Sequence, residues 1–340
     1  MKEQEIRPQQ LFNRYLELSR RDVDQFFADT SQFVPVPCPA CGCAQQEAGL
    51  TKLGFSYVTC ADCSSLYVSP RPRGEAIDDY YRRGEAVKFW STDFFRETTE
   101  ARREKIFRPR AQLVAKWASL FSSSGGSRQI FADVGSGYGI FLEEVSRLGL
   151  FDEVVGIEPA PNLAEICRHR GFRILEKPAE EVAPEELRAC FVSSFELLEH
   201  LYQPACFLTS IRDLLIPGGL FLFTTLTISG FDLQVLWENS KSIHPPHHLN
   251  MISVEGMERL LLRCGFEVVE LCTPGELDVD IVRSMLQENP NIPIPRFARG
   301  IALNPREEVR ASFQEFLKAN RLSSHLRVVA RRPLNGATTS

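Results

Sequence analysis

The spacing of hydrophobic positions changes three times along the 340-residue chain. Over residues 5–30, Leu11, Phe12, Tyr15, Leu16, Val23, Phe26 and Phe27 recur at helical intervals, which predicts an amphipathic helix packed through its apolar face. Residues 31–70 lose that period. "VPVPCPACGCAQQ" is turn-rich, and "GFSYVTCADCSSLYVSP" carries the aromatic and β-branched residues of short strands. A charged helical pattern then runs to about Trp117 and gives way to "FSSSGGSR" (121–128), a flexible linker by composition.

From Gln129 short apolar strands alternate with helices. "QIFADVG", "EVVGIEP", "FRILE", "CFVSSFE", "LFLFTTLT", "FEVVELCTP" and "SSHLRVVARRP" read as strands. "IFLEEVSRLG", "NLAEICRHRG", "QPACFLTSIRDLLIPGG" and "SVEGMERLLLRCG" read as helices stopped by glycine. The alternation predicts an α/β fold, a parallel sheet with helices on both faces. The chain divides into a helical arm (1–30), a cysteine-bearing module (31–70), a helical lid or linker region (71–128) and an α/β domain (129–334). Within the last, 275–322 is too long for a plain connection; it adds helices over the acceptor side or forms a dimer surface.

Composition then narrows the classes of function. A content of 44% hydrophobic and 24% charged residues is ordinary for a folded chain. The net charge of −5 and pI near 5.8 offer no basic field for phosphates, which argues against a nucleic-acid partner. No segment approaches the ~20 apolar residues that cross a bilayer, and the polar "MKEQEIRPQQ" lacks the apolar core of a secretory signal. A cytoplasmic protein with no membrane partner is expected, so the ten cysteines need a use other than disulfides.

Four of them have one. Cys38-Pro-Ala-Cys41 and Cys60-Ala-Asp-Cys63 stand eighteen residues apart and supply the four thiolates of a tetrahedral zinc site. With every position taken by sulfur the zinc is structural, and its binding energy helps so small a module fold. Cys43 falls outside the set. Cys167, Cys190, Cys206, Cys264 and Cys272 read as small buried hydrophobes.

"DVGSGYG" (Asp133 to Gly139) closes the first strand of the α/β region and opens its first helix, and Glu158 ends the next strand nineteen residues after Gly139. Glycines let the backbone turn and approach a ligand, and an acid at the second strand's end accepts from ribose hydroxyls. A dinucleotide or S-adenosylmethionine suits this arrangement. The third glycine comes one residue earlier than in the dinucleotide fingerprint, and the Asp133 carboxylate suits a cationic amino-acid group better than a pyrophosphate. Here the sequence resembles the class I S-adenosylmethionine-dependent methyltransferases. "DVGSGYG", "VVGIEP", "VSSFELLEHLYQP" and "LLIPGGLFLFTT" match their first, second, fourth and fifth motifs, over roughly residues 105–275.

The resemblance implies a Rossmann-like seven-stranded sheet with helices on both faces, preceded here by a small N-terminal zinc ribbon, and S-adenosylmethionine as cofactor. It implies that Asp133, Gly135, Ser136, Gly137 and Gly139 hold the methionine part. Glu158 would hold the ribose with Pro159 beside it, and Ala179 and Glu180 would lie by the adenine. Phe195 and Glu196 would flank the reactive centre, and Cys190 stands where the family often has an acid. With the cysteine module added, the chain is similar to zinc-containing sugar C-methyltransferases. Those carry a further C-terminal domain, where here a short tail follows the last strand.

The stretch "SIHPPHHLN" (242–250) lies on the long connection after the fifth strand, at the edge where open sheets bind ligands. His247 and His248, with His200 from "FELLEH", are the expected proton acceptors or substrate contacts. A metal at His244, His247 and His248 is disfavoured, since too few acids stand near to complete it. Tyr80, Tyr81, Phe89 and Trp90 read as the apolar face of a helix, with a lid as the alternative, and "RREKIFRPR" as a solvated helix face. The expected activity is methyl transfer to O or C of a small or carrier-linked acceptor, such as a sugar or secondary metabolite. The alternatives are an inert cofactor fold that docks a partner through the zinc ribbon, and a nicotinamide-dependent oxidoreductase.

Overall fold

The computed structural model describes residues 8–120 and 128–334, so all of the expected linker but Arg128 lies outside the described residues. Two sheets form. The larger joins β4 (Ile130–Val134), β5 (Glu153–Ile157), β6 (Arg173–Leu175), β7 (Ala189–Phe195), β8 (Leu215–Leu226), β10 (Glu267–Cys272) and β11 (His325–Arg331). Its order is β10-β11-β8-β7-β4-β5-β6. The smaller is antiparallel and joins β1 (Gln46–Lys52), β2 (Phe55–Cys60) and β3 (Leu66–Val68) to β9 (Asn250–Met251), which the histidine-bearing connection contributes.

Strands β8, β7, β4, β5 and β6 run parallel, as the alternation predicts. The parallel run ends at β11, which is antiparallel to both β8 and β10 and makes the seven-stranded sheet mixed. The helices of the 275–322 segment, α11 (Asp278–Glu288), α12 (Arg296–Ala302) and α13 (Glu307–Ala319), return the chain to the edge it left at the end of β10. A strand entered from that edge must run back, because a parallel return requires a crossover along the sheet's face. The expected glycine stop at "LIPGG" is also displaced: these residues already belong to β8.

Alternation along the strands sends successive side chains to opposite faces. Phe131, Phe191, Leu220, Leu222 and Val329 meet α5 (Arg108–Leu120) and α6 (Ile140–Ser146). Ala132, Val192, Phe221, Phe223 and Val328 meet α8 (Pro204–Leu214) and α10 (Val254–Arg263). Each fully buried large side chain contributes about 1.5–3 kcal/mol. A separate core joins the small sheet's Leu50, Phe55, Tyr57, Leu66 and Val68 to Ile243, Leu249 and Met251 of the histidine connection. Phe27, just after α1 (Gln9–Phe26), and Tyr80 of α2 (Gly74–Arg83) complete it.

A helical run from Glu85 to Leu120 contains two wide turns, Trp90–Phe94 and Arg103–Phe107. The reading of "RREKIFRPR" as a solvated face is corrected here. Arg103 pairs with Glu143 and Glu144, each at 2.7 Å, and Arg110 reaches Glu196 at 2.6 Å. The acids of α6 face this run, so Arg103 turns inward and, with Arg110, docks it on the sheet domain, while Arg108 stays exposed.

Candidate active site

The glycine loop leaves the end of β4 and enters α6. Gly135, Gly137 and Gly139 have φ of 77°, 53° and 72°, in the left-handed region. At Gly139 a Cβ would also stand 2.9 Å from Cys167 Sγ, so the position excludes any side chain. At Gly137 a Cβ would meet nothing within 4 Å, which marks the open side of the loop, where a ligand has room to approach the backbone.

Glu158 follows β5 and braces this loop. Its Oε2 accepts from the Gly137 N–H at 2.8 Å and its Oε1 from the Ala160 N–H at 3.0 Å, while burial raises its pKa. Each oxygen retains a further lone pair. Pro159 beside it is exposed. Asp133 is buried and accepts from the Ser193 hydroxyl of β7 at 2.6 Å; burial pushes it up to about 7 against the pull of Ser193 and Arg110. Ser136 donates to the Asp133 carbonyl at 2.8 Å. Beyond β6 a short turn holds Ala179, which is buried, and Glu180, whose pKa burial raises.

Past β7, Glu196 takes a left-handed φ of 53°. It accepts from Arg110 at 2.6 Å and from the Thr224 hydroxyl at 2.8 Å, with His325 Nδ1 at 3.7 Å. Burial opposes its charge, but the Arg110 guanidinium and the Thr224 hydroxyl outweigh burial and hold its carboxyl below the usual carboxylate range, while burial lowers His325 itself. The Arg110 guanidinium lies over the Phe195 ring, 4.3 Å from its centroid. Arg110 and His325 escape the sequence reading. Arg110 shares a helix face with Arg103, seven residues back, which is a weak local signal. His325 has none, since only the pairing of β11 with β8 brings it to this edge.

The histidine connection divides in two. His244 and His247 are buried; His244 Nε2 meets the Ser19 hydroxyl of α1 at 2.8 Å, and His247 Nε2 bonds the Tyr80 hydroxyl of α2. Burial pushes His244 down to about 3 and His247 well below its ordinary value. The His247 ring lies among those of Tyr15, Tyr80 and Tyr81.

His248 and His200 are half-buried, with ring centroids 4.9 Å apart. His248 Nδ1 donates to the Ser242 carbonyl at 2.5 Å, which assigns the proton to Nδ1 and basicity to Nε2. His200 Nδ1 meets the Tyr81 hydroxyl at 3.3 Å, and burial lowers His200 to about 4. Glu199 is buried and accepts from the Thr225 hydroxyl at 2.7 Å; burial first, then the charge of Glu196, push it up to about 8. One ligand atom from each of Glu199, His200 and His248 lies within 4.8 Å of the others. The fold thus brings His200 and His248 together beside an acid and packs His247 among tyrosines.

The Sγ atoms of Cys38, Cys41, Cys60 and Cys63 all lie within 4.8 Å of one another, with Cys38–Cys63 at 3.6 Å and Cys41–Cys60 at 3.4 Å. A tetrahedral zinc with bonds of about 2.3 Å needs sulfurs about 3.8 Å apart, so the donor set and its spacing fit that ion. Cys43 turns away toward the Gln45 backbone. A cavity of about 330 Å³ lies elsewhere, at the opposite edge of the sheet between Ala118, Pro217 and Leu334, remote from all these groups.

A family described as a methyltransferase domain matches residues 100–271, slightly more than half of the chain. The chain is 30% identical over 179 residues to a ubiquinone biosynthesis O-methyltransferase of Cereibacter sphaeroides, covering 51% of this chain and 63% of that protein. It is 30% identical over 178 residues to a tRNA U34 carboxymethyltransferase of Ectopseudomonas mendocina, covering 50% of this chain and 54% of that protein. The chain thus spans less than two thirds of these relatives' lengths. Among solved structures it is similar to the plantazolicin methyltransferase BpumL in complex with SAH, with TM-score 0.49 and 11% identity over 76% of this chain and 94% of that one. Among the described residues, no helix is long and apolar enough to cross a membrane.

Proposed function

Because the chain belongs to the methyltransferase-domain family, we propose that it moves a methyl group from S-adenosylmethionine to oxygen or carbon of a small or carrier-linked acceptor. Family membership argues against the nicotinamide oxidoreductase, and cofactor binding separates the active enzyme from the inert binding protein. The observation that carries the reading is the joined pair of glycine loop and Glu158, with open space outside Gly137. Asp133, Gly135, Ser136, Gly137 and Gly139 would hold the methionine part of the cofactor. Glu158 and Pro159 would hold the ribose, Ala179 and Glu180 would lie at the adenine, and Phe195 and Glu196 beside the reactive centre. When bound, the cofactor supplies an electrophilic methyl group on a sulfonium.

The chain's own residues then orient the partners and move one proton. The loop backbone fixes the donor's position, which is the main requirement of a displacement at carbon. Glu196, held ionised by Arg110 and the Thr224 hydroxyl, presents a fixed negative charge at the reactive edge. His248 takes the acceptor's proton at Nε2, while the Ser242 carbonyl keeps its tautomer. His200 contacts the acceptor, and the His247 ring packs beside it. The likeness to an O-methyltransferase of ubiquinone biosynthesis favours oxygen as the accepting atom. Cys38, Cys41, Cys60 and Cys63 hold a structural zinc.

Calorimetric titration with S-adenosylhomocysteine tests the donor reading, and absence of binding by the wild type overturns it. Transfer of a labelled methyl group to a panel of phenols, sugars and carbon acids tests the acceptor reading.

A further inference from the structure

We infer that the zinc ribbon is the scaffold that positions the acceptor loop, while the cofactor half of the site stands without it. This rests on the reading of His200 and His248 as acceptor-side groups. The ribbon's hairpin, β2 and β3, has the cysteine pair Cys60 and Cys63 at its turn, and its β3 strand carries the histidine loop. Leu66 and Tyr67 pair with Met251 and Asn250, and the Val68 N–H donates to the Leu249 carbonyl at 3.0 Å. The Tyr57 hydroxyl donates to the His248 carbonyl at 2.6 Å. Ser253 follows β9; its hydroxyl donates to the Cys63 carbonyl, and its N–H donates to the Ser65 hydroxyl at 3.0 Å.

Arg71 closes the assembly. It is 2% exposed and donates to three elements at once: the Val68 carbonyl at 3.1 Å, the Tyr202 carbonyl at 3.0 Å and Asn250 Oδ1 at 3.2 Å. Tyr202 lies two residues past His200, and Asn250 two past His248, so one buried cation fixes the approach of both histidines. From the other side the Leu249 N–H donates to the Glu199 carbonyl at 2.9 Å, and Asn250 Nδ2 to the Leu201 carbonyl at 2.6 Å.

Strands of three and two residues do not hold such a register alone. Something must fix the hairpin turn, and a metal cross-link between the knuckles does so. The ribbon's Cys38, Cys60 and Cys63 pack into the same core as Val134 and Ile157, but the glycine loop draws its hydrogen bonds from a different set. Gly137 bonds Glu158 after β5 and Cys167 of α7 (Pro161–His169), and Asp133 bonds Ser193 of β7.

The test uses the full chain, with zinc content by mass spectrometry, region-resolved hydrogen exchange and S-adenosylhomocysteine calorimetry. The wild type should carry one zinc. Cys63→Ser should lose it, raise exchange over residues 242–252 by at least about 10-fold, and leave both exchange over 130–160 and ligand affinity within about threefold. Tyr57→Phe should keep the zinc and raise exchange over 247–250 by about 2- to 10-fold, the effect of one lost hydrogen bond. A zinc-free wild type overturns the inference. So does unchanged loop exchange in either variant, or loss of ligand binding together with the loop in Cys63→Ser. A wild type that carries zinc yet binds no S-adenosylhomocysteine overturns the donor reading alone, since zinc content and loop exchange are measured without that ligand.

Discussion

The glycine loop and the histidine loop serve one edge of one sheet, yet they are held by different means. The first is a local construction. Three left-handed glycines set its path, and its braces, Glu158, Cys167 and Ser193, belong to the elements that flank its own strand. The second is held from a distance. Ser19 lies 225 residues from His244, Tyr57 lies 191 from His248 and Tyr80 lies 167 from His247. Backbone geometry fixes a loop at low entropic cost whatever surrounds it, whereas a loop fixed by remote side chains is ordered only when the whole fold is in place. The two halves of the site should therefore loosen separately.

The largest effect on the cofactor half belongs to Glu158→Ala. It removes a buried carboxylate that accepts from two N–H groups, and charged hydrogen bonds contribute about 1.5–3 kcal/mol each. S-adenosylhomocysteine affinity should fall by about 10- to 100-fold, with exchange over 242–250 unchanged; loosening of both loops together would break the contrast. His247→Ala should do the reverse. Loss of a buried ring among tyrosines lowers stability by about 3–4 kcal/mol, read as a lower thermal midpoint, with ligand affinity unchanged. His248→Ala should spare both stability and ligand affinity. It should lower methyl transfer by about 100-fold, the ordinary contribution of a general base, and equal transfer in the two proteins would return the loop to a packing role.

Acidity acts on the halves with opposite net signs, with Glu199, raised to about 8, offsetting part of the histidine contribution. His200 and His244 have folded values near 4 and 3, below the 6.5 of a free imidazole, so the unfolded chain binds more protons between those limits. Their contribution is present above pH 6.5 and is lost as the pH falls, by up to about 1.4 kcal/mol per pH unit for each. Asp133 is raised from 3.8 to about 7, so its contribution is complete at low pH and lost as the pH rises toward 7. Lowering the pH from 7 to 5 should lower the protection factors over 242–250 and raise them over 130–137, once the slower intrinsic exchange at pH 5 is divided out. Parallel changes would refute the separation. The smallest effect belongs to Ser19→Ala, which removes the hydrogen bond to His244, about 1 kcal/mol, and should raise exchange over 244–247.

The legibility of the site follows the same division. The seven strands of the larger sheet, the glycine loop and Glu158 were readable, while β9 at Asn250–Met251 was not, because period, glycine spacing and strand-end position are short-range properties and a two-residue strand has no period. So was the grouping of Cys38, Cys41, Cys60 and Cys63, whose spacing is itself the ligand geometry. The pattern did not reveal that "RREKIFRPR" turns inward, because the acids it meets lie on a helix some forty residues away. Nor did it separate His247 from His248. They are adjacent, and what distinguishes them is Tyr80 for one and the Ser242 carbonyl and His200 for the other.

The sequence by itself determined the α/β architecture, the turn of the glycine loop and which cysteines stand together, because each depends on residues within a few turns or strands of one another. Only the tertiary structure decided the reversal of β11, the arrival of Arg110 and His325 at Glu196, and the pairing of the ribbon with the histidine loop. Those depend on which distant surfaces meet, a matter of shape and burial summed over the whole chain that no local pattern records.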